Sequence, residues 1–388
     1  MDIFDYIFWR GDLDFEEGGA CFNSVDALIL CQLSYLDFGG IVSSDFKFKI
    51  TLNEAAALFF TDNFEERKKL GVLINPKTVE LLSACAKSRR FGKLLLCGYR
   101  NSYSKNDEEQ FSALTFVNRR KENPFAFAAF RGTDDTIVGW KEDFNLAFKS
   151  EVKAQKDALS YLKEIIKGSS RLFKSPRLGK KICFFCGGHS KGGNLAVFAA
   201  ANLEEKLYRR LKKVWNFDGP GFLKETLAQE NFQRALKKTE TYFPQESIVG
   251  MFFEHTADFK VLKSKSKNIM QHDPLLWQTA PLDFELCEKL DESSIFLNGV
   301  FNDWFVGLSV EQREQIVEVI FGVLESTKVD TNSELAENWG KNGLLIVKAL
   351  SKLDKNLRSS VLESIAKFLK LAGQRLPEYL KASLKKDD

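Results

Sequence analysis

Histidine is scarce in this chain, at three residues in 388, so any chemistry that needs an imidazole has few places to occur. No stretch approaches the ~18 uninterrupted apolar residues of a membrane span, and no such span is expected. The opening MDIFDYIFWRGDLDFEE carries acids where a secretory leader would carry a basic segment followed by an apolar run. Neither sign of charge dominates. The 56 basic and 53 acidic residues are interspersed along most of the chain and leave a net charge of +3, which argues against nucleic acid as a partner. The seven cysteines are odd in number and scattered, which suits a reducing compartment and makes a cytoplasmic location the expectation. Internal repeats and low-complexity tracts are missing too.

What is present is globular: 44% hydrophobic and 28% charged residues, with length enough for one large domain carrying additions, or for two domains. The 35 phenylalanines are an excess; core packing accounts for them more simply than an apolar pocket does. Cys183 and Cys186 have C-x-x-C spacing, but they lie in the apolar run KICFFCGG, where a strand would turn residues three apart to opposite faces. No second cysteine pair of similar spacing exists, so neither a metal site nor a redox motif is expected.

After an N-terminal arm over residues 1–22, NSVDALILCQLSYLDF (23–38) reads as a helix with Ser24 as its cap. Two further helical stretches follow within 53–90, a segment that is also a candidate lid. Residues 93–99, 110–118 and 124–131 read as strands. Helices at 154–167, 191–213 and 223–238 then alternate with strands at 181–186, 214–217, 247–253 and 259–262, a pattern that argues for an α/β fold with a mostly parallel sheet. Beyond about 285 helical periodicity takes over. Ser309-Val310-Glu311-Gln312 is a capping box opening a helix to about Glu325. Helices near 333–351 and from Leu353 follow, the last with a stripe of Leu353, Leu357, Val361, Ile365, Phe368 and Leu369.

The chemistry concentrates at Gly187-Gly188-His189-Ser190-Lys191-Gly192-Gly193, between the strand CFF and the helix NLAVFAAANL. G-x-S-x-G alone is weak. A strand entering, a helix leaving and small residues two before and two after the serine are what a strained nucleophile turn requires. Ser190 would then project from the turn, with the backbone N–H of Lys191 facing a developing oxyanion. A hydroxyl needs a base. His189, inside the turn, reads as structural; His272, in the loop Gln271-His272-Asp273-Pro274, is preferred to His255. The orienting acid should lie between Ser190 and His272. Asp258 is the first choice and Asp218, heading Asp-Gly-Pro-Gly, the alternative. For the second oxyanion donor, Phe130-Arg131-Gly132-Thr133-Asp134-Asp135 is well placed, through the N–H and hydroxyl of Thr133; Trp140 and Asp143 read as packing and capping residues.

FRGTDDTIVGWKEDF followed by GGHSKGGNLAVFAA resembles the class 3, fungal-lipase-like branch of the α/β hydrolases. More narrowly, GHSKGGNLA, FDGPGF and QHDP in one chain resemble a bacterial lipase-like family, over roughly residues 20 to 280. The resemblance implies an α/β-hydrolase fold and a Ser-Asp-His hydrolase of carboxylic esters working without a cofactor. Ser190 matches the nucleophile, Thr133 the oxyanion residue and His272 the base. Neither Asp258 nor Asp218 has the D-x-V-P context of many class 3 lipases, and Lys191 stands where those lipases carry an apolar residue, pointing either to solvent or toward an anionic head group. The expected division is an arm (1–22), a hydrolase domain (23–285) and a helical region (286–388). The alternative function is an inactive hydrolase-like binding module. Residues 341–388 hold 11 Lys or Arg against 5 Asp or Glu, a basic stretch that can lie on an anionic membrane surface.

Overall fold

Phe125, Phe127 and Ala129 enter one hydrophobic core, and Ala126, Ala128 and Phe130 enter another, because successive strand residues face opposite sides of a sheet. The computed structural model in which this is seen describes residues 1–325 and 355–384, apart from 16–19, 72–73, 107, 121–122, 135, 147–148, 150, 174–181 and 256–257. Among the described residues the sheet has nine strands in chain order. They are β1 (Ile50–Thr51), β2 (Leu95–Ser104), β3 (Glu109–Asn118), β4 (Phe125–Phe130), β5 (Cys183–His189), β6 (Leu211–Phe217), β7 (Thr239–Pro244), β8 (Phe259–Leu262) and β9 (Leu286–Cys287). β4 through β8 pair in parallel, and the strands before and after pair antiparallel. Parallel neighbours require helical crossovers, which cover both faces.

One face is covered by α1 (Ile3–Arg10), α2 (Ser24–Leu33), α3 (Leu52–Thr61), the single turn α4 (Phe64–Arg67) and α5 (Lys77–Lys87). Ile3, Tyr6, Leu28, Phe59, Leu81 and Cys85 from these helices meet Phe127, Trp215 and Phe217 in the larger core. The N-terminal arm therefore contributes a helix that packs through Ile3, Tyr6 and Ile7, and the candidate lid supplies Ala55, Phe59, Leu81, Leu82 and Cys85 to the same core while Leu58 stays exposed. After β4 come α6 (Ile137–Asn145), α7 (Lys153–Lys167) and α8 (Ser169–Phe173), then α9 (Lys191–Ala201) and α10 (Glu205–Tyr208), then α11 (Lys224–Leu227) and α12 (Glu230–Leu236). α7, α9 and α12 build the second core. Cys183 packs toward the first core and Cys186 lies in the second, so the C-x-x-C pair is split by the sheet. All seven cysteines are free.

Several expected elements differ. Asn23, not Ser24, caps α2 by accepting from the N–H of Val25 and Asp26. That leaves the Ser24 hydroxyl to accept from Trp215 Nε1 at 3.1 Å and Tyr242 Oη at 2.8 Å, tying the helix to β6 and β7. The helix expected over 191–213 stops at Ala201, and β6 begins at Leu211, whose side chain is buried. The helix expected over 223–238 is two short ones. Residues 247–253 are turns, and the strand between β6 and β8 is Thr239–Pro244.

C-terminal to β9 lie α13 (Glu292–Val306), α14 (Val310–Glu325) and α15 (Lys355–Leu384). The expected capping box forms: Gln312 N–H donates to Ser309 Oγ at 3.2 Å and Ser309 N–H to Gln312 Oε1 at 2.9 Å. The helix expected at 333–351 lies outside the described residues, as do Leu353 and the side chains of Leu357, Val361 and Ile365. Phe368 packs on Trp304, while Leu369 is 63% exposed. α15 thus lies on α13, where Trp304 Nε1 donates to the Ser364 carbonyl and Phe296 meets Tyr379. α13 in turn reaches the main body through Phe301 and Phe305, which pack on Phe252 and Phe253. No described helix is long and apolar enough to cross a membrane.

Candidate active site

The glycines of the G-x-S-x-G turn are required by contact. A Cβ on Gly188 would sit 2.1 Å from the Gly192 carbonyl carbon, and one on Gly192 would sit 2.1 Å from the Phe130 carbonyl oxygen. β5 therefore runs into α9 with no space for a side chain on either flank. Ser190, at the joint, is held at φ 57°, ψ −135°, a region costing a non-glycine residue of order 1–3 kcal/mol. Its N–H donates to the Phe217 carbonyl at 2.9 Å, pinning the turn to β6. The side chain keeps partial exposure, and the next residue opens α9, whose first N–H groups have no partner within the helix.

A buried carboxylate follows the next strand. Asp218 follows β6 with φ 50° and no solvent exposure. Its Oδ2 lies 2.6 Å from His272 Nδ1, and its Oδ1 accepts from the Ser247 hydroxyl at 2.5 Å. A Cβ on Gly250 would come within 2.2 Å of Oδ1, so the turns over 247–253 close around the carboxylate. A carboxylate only accepts, so His272 Nδ1 carries the proton and its Nε2 is left with a free lone pair. Asp258, the first choice from sequence, is exposed at the start of β8, and the residue paired with His272 is the alternative, Asp218. The expected strand over 247–253 is a run of turns, so Asp258 does not follow a strand.

His272 sits in a short helical turn that is fixed on several sides. Its carbonyl accepts from His189 Nε2 at 2.8 Å, and the two imidazoles lie 4.5 Å apart. The Gln271 carbonyl accepts from Trp277 Nε1 at 2.6 Å, and Asp273 accepts from Asn75 Nδ2 at 2.6 Å. His189 is structural in this arrangement; burial, with the His272 charge adding to it, holds its pKa well below the ordinary value. His255 stands apart, edge-on to Phe243 beside a small cavity lined by Val197, Asn216 and Phe222. Burial lowers its pKa to about 4, against weaker opposition from the Phe252 backbone and the Asp218 charge.

On the other flank, the loop after β4 presses against Ser190: a Cβ on Gly132 would meet Tyr35 Oη at 2.2 Å, the His189 carbonyl at 2.7 Å and Ser190 Cβ at 3.0 Å. Thr133 follows. Its hydroxyl donates to Asp143 Oδ2, so that hydroxyl is spent and the N–H alone is left for a ligand. Lys191 answers neither expectation held for it. Its side chain is 1% exposed, and Nζ donates to Glu142 Oε2 at 3.0 Å and to the carbonyl and Oε1 of Gln110 at 3.0 and 2.8 Å. Desolvation pulls this ammonium down, but Glu142 and Asp143 outweigh it and its pKa lies above the ordinary value. Burial pushes Asp143 up to about 6 against the pull of Lys191 and Thr133. The side chain of Trp140 lies outside the described residues. Among the described residues no cluster of His, Cys, Asp and Glu could hold a metal ion.

A strained serine between a parallel strand and a helix, on a mixed sheet flanked by helices, is consistent with an α/β-hydrolase fold. The chain belongs to the Mbeg1-like family, whose model matches residues 85–322. Among solved structures, a crystal structure of M37 lipase is similar at 14% identity and a TM-score of 0.35, over 58% of this chain and 67% of that one. No curated protein matches.

Proposed function

We propose that the chain is a serine hydrolase that cleaves a carboxylic ester through an acyl-Ser190 intermediate, with a lipid or other acyl ester as substrate. The observation that carries the reading is the 2.6 Å contact between His272 Nδ1 and a carboxylate with no solvent exposure, placed one strand over from a serine in a strained turn. Such a carboxylate fixes the imidazole tautomer and stabilises its cation. His272 Nε2 takes the proton from Ser190 Oγ as Oγ bonds to the acyl carbon. The backbone N–H groups of Lys191 and Thr133 receive the oxygen that becomes negative. Collapse breaks the ester C–O bond, and the leaving alkoxide takes the proton from His272. Water then gives His272 a proton as it attacks the acyl carbon; Ser190 Oγ leaves with that proton and the acid is released.

The reading assigns chemistry to the body between about residues 23 and 285 and leaves the helical extension a supporting part. The basic-helix alternative draws little from the packing, since α15 is engaged with α13. Labelling by a fluorophosphonate, with p-nitrophenyl acyl esters of graded chain length as reporters, tests it. Wild type should label and hydrolyse, and Ser190→Ala and His272→Ala should do neither. Undiminished turnover in folded Ser190→Ala refutes the mechanism.

A further inference from the structure

We infer that Lys191 is a positioning residue: its side chain and that of Thr133 converge on one charge cluster beneath the nucleophile turn, and that cluster sets the separation of the two oxyanion donors. The inference rests on the serine-hydrolase reading above and concerns a side chain that touches no substrate, on a residue whose backbone N–H does.

The geometry runs through α6. All three ammonium hydrogens of Lys191 are used, on the Gln110 carbonyl, Gln110 Oε1 and Glu142 Oε2. Glu142 is itself anchored by backbone, accepting from Gln110 N–H at 3.2 Å and Ala154 N–H at 2.9 Å. The adjacent Asp143 places Oδ1 3.7 Å from Lys191 Nζ and receives the Thr133 hydroxyl on Oδ2. One donor N–H belongs to Lys191 and the other to Thr133, so the two reach each other through their own side chains and a shared anion pair. The Lys191 and Glu142 side chains at the centre of that bridge are both 1% exposed, and Asp143, toward Thr133, is 26% exposed. Fully buried lysine and glutamate are rare unless paired, and a buried pair is weak as a source of stability compared with apolar residues of similar volume. Holding two donors in register is a use that apolar packing does not supply. Displacing a catalytic group by ~1 Å costs on the order of 100-fold in rate.

Asp143 makes the bridge sensitive to acid. The groups that face it are Lys191 from α9, Glu142 from its own helix, Thr133 from the loop and Tyr35 after α2, while Asp134 acts on the same ammonium. Protonation near pH 6 removes one of the two anions opposite Lys191 and weakens the acceptor that holds Thr133.

The experiment uses the full-length protein and p-nitrophenyl esters, with fluorophosphonate labelling of Ser190 as the entry condition. Loss of that labelling in folded wild type would overturn the hydrolase reading itself. With labelling present, Lys191→Met keeps the donor N–H and removes the ammonium. Its kcat should fall by roughly 10-fold or more with KM within about threefold, and affinity for a trifluoromethyl ketone analogue should fall in parallel. Folded Lys191→Met with wild-type kcat and analogue affinity overturns the inference alone. Should Lys191→Met fail to fold, Asp143→Asn carries the test, because it keeps an acceptor for Thr133. The wild-type acid limb of kcat should be steeper than that of Asp143→Asn, which lacks the ionisation near pH 6; identical limbs overturn the inference.

Discussion

His189 Nε2 donates to the backbone carbonyl of His272 at 2.8 Å. A carbonyl only accepts, so the proton of the neutral His189 ring is on Nε2, and its Nδ1 accepts from Tyr35 Oη at 3.0 Å. The Tyr35 oxygen in turn lies against Gly132. One tyrosine and one histidine therefore brace the loop carrying His272 against the loop leading to Thr133, behind Ser190. Removing the Tyr35 hydroxyl leaves Nδ1 in the interior without its donor, at a cost of ~1–3 kcal/mol. Tyr35→Phe should lower the urea midpoint accordingly, and an unchanged midpoint would show that the brace bears no load.

The acid assignment separates two residues that sequence order leaves tied. Asp218→Asn should label far more slowly and lose on the order of 10⁴ in kcat, because the amide favours the wrong imidazole tautomer. Asp258→Asn changes an exposed side chain and should keep kcat within about threefold. The reverse ranking in steady-state kinetics would return the role to Asp258.

The site was readable where the chain itself is local. A strand, a serine flanked by glycines and a helix occupy consecutive residues, so the turn at Ser190 follows from sequence, and the scarcity of histidine narrowed the base to His272 or His255. Asp218 against Asp258 is a question of which strand comes next, and that depended on finding β7. Thr239–Pro244 opens with Thr, Glu and Thr and is buried only over its last four residues, so its apolar signal is short, and it falls between the helix expected to end at 238 and the strand expected from 247. Lys191 was misread for a different reason. Its partners Gln110, Glu142 and Asp143 come from β3 and α6, and a lysine's burial is decided by such distant partners rather than by its own neighbours in sequence. Tyr35 and Ser247 carried no local signal at all.

Three groups with shifted pKa values, His189, His255 and Asp143, give acid stability a defined shape. His189 and His255 have pKa values held down, His255 from 6.5 to about 4. The unfolded chain binds protons there before the native one does, so both lose stability as pH falls below 6.5. Asp143 is raised from 3.8 to about 6; its contribution is complete below 3.8 and is lost as pH rises through about 6, the opposite sign. Between pH 7 and pH 5 it offsets ~1 kcal/mol of the histidine loss. Asp143→Asn should therefore lose ~1 kcal/mol more than wild type over that interval in urea unfolding. Equal losses would mean that Asp143 titrates as it does in the unfolded chain.

Glycine replacements should divide by contact. Gly322, inside α14, has no atom within 4 Å of a built Cβ, so Gly322→Ala relieves a helix-interior glycine and should stabilise by ~0.5–1 kcal/mol. Gly192 is the opposite case, because the obstruction is the Phe130 carbonyl oxygen at 2.1 Å, which is backbone and cannot rotate away. Relief requires α9 and β4 to separate. Phe130 leads directly into Arg131, Gly132 and Thr133, so the movement that accommodates the methyl also displaces Thr133, the second oxyanion donor in the proposed mechanism. Gly192→Ala should thus lower stability by ~1–3 kcal/mol or more and, in the fraction that folds, lower kcat further than KM rises. Thermal melts of both variants beside wild type, followed by ester kinetics on the folded protein, separate the two effects. A Gly192→Ala protein with wild-type melting and turnover would mean that β4 and α9 are not in the contact on which this account of the turn depends.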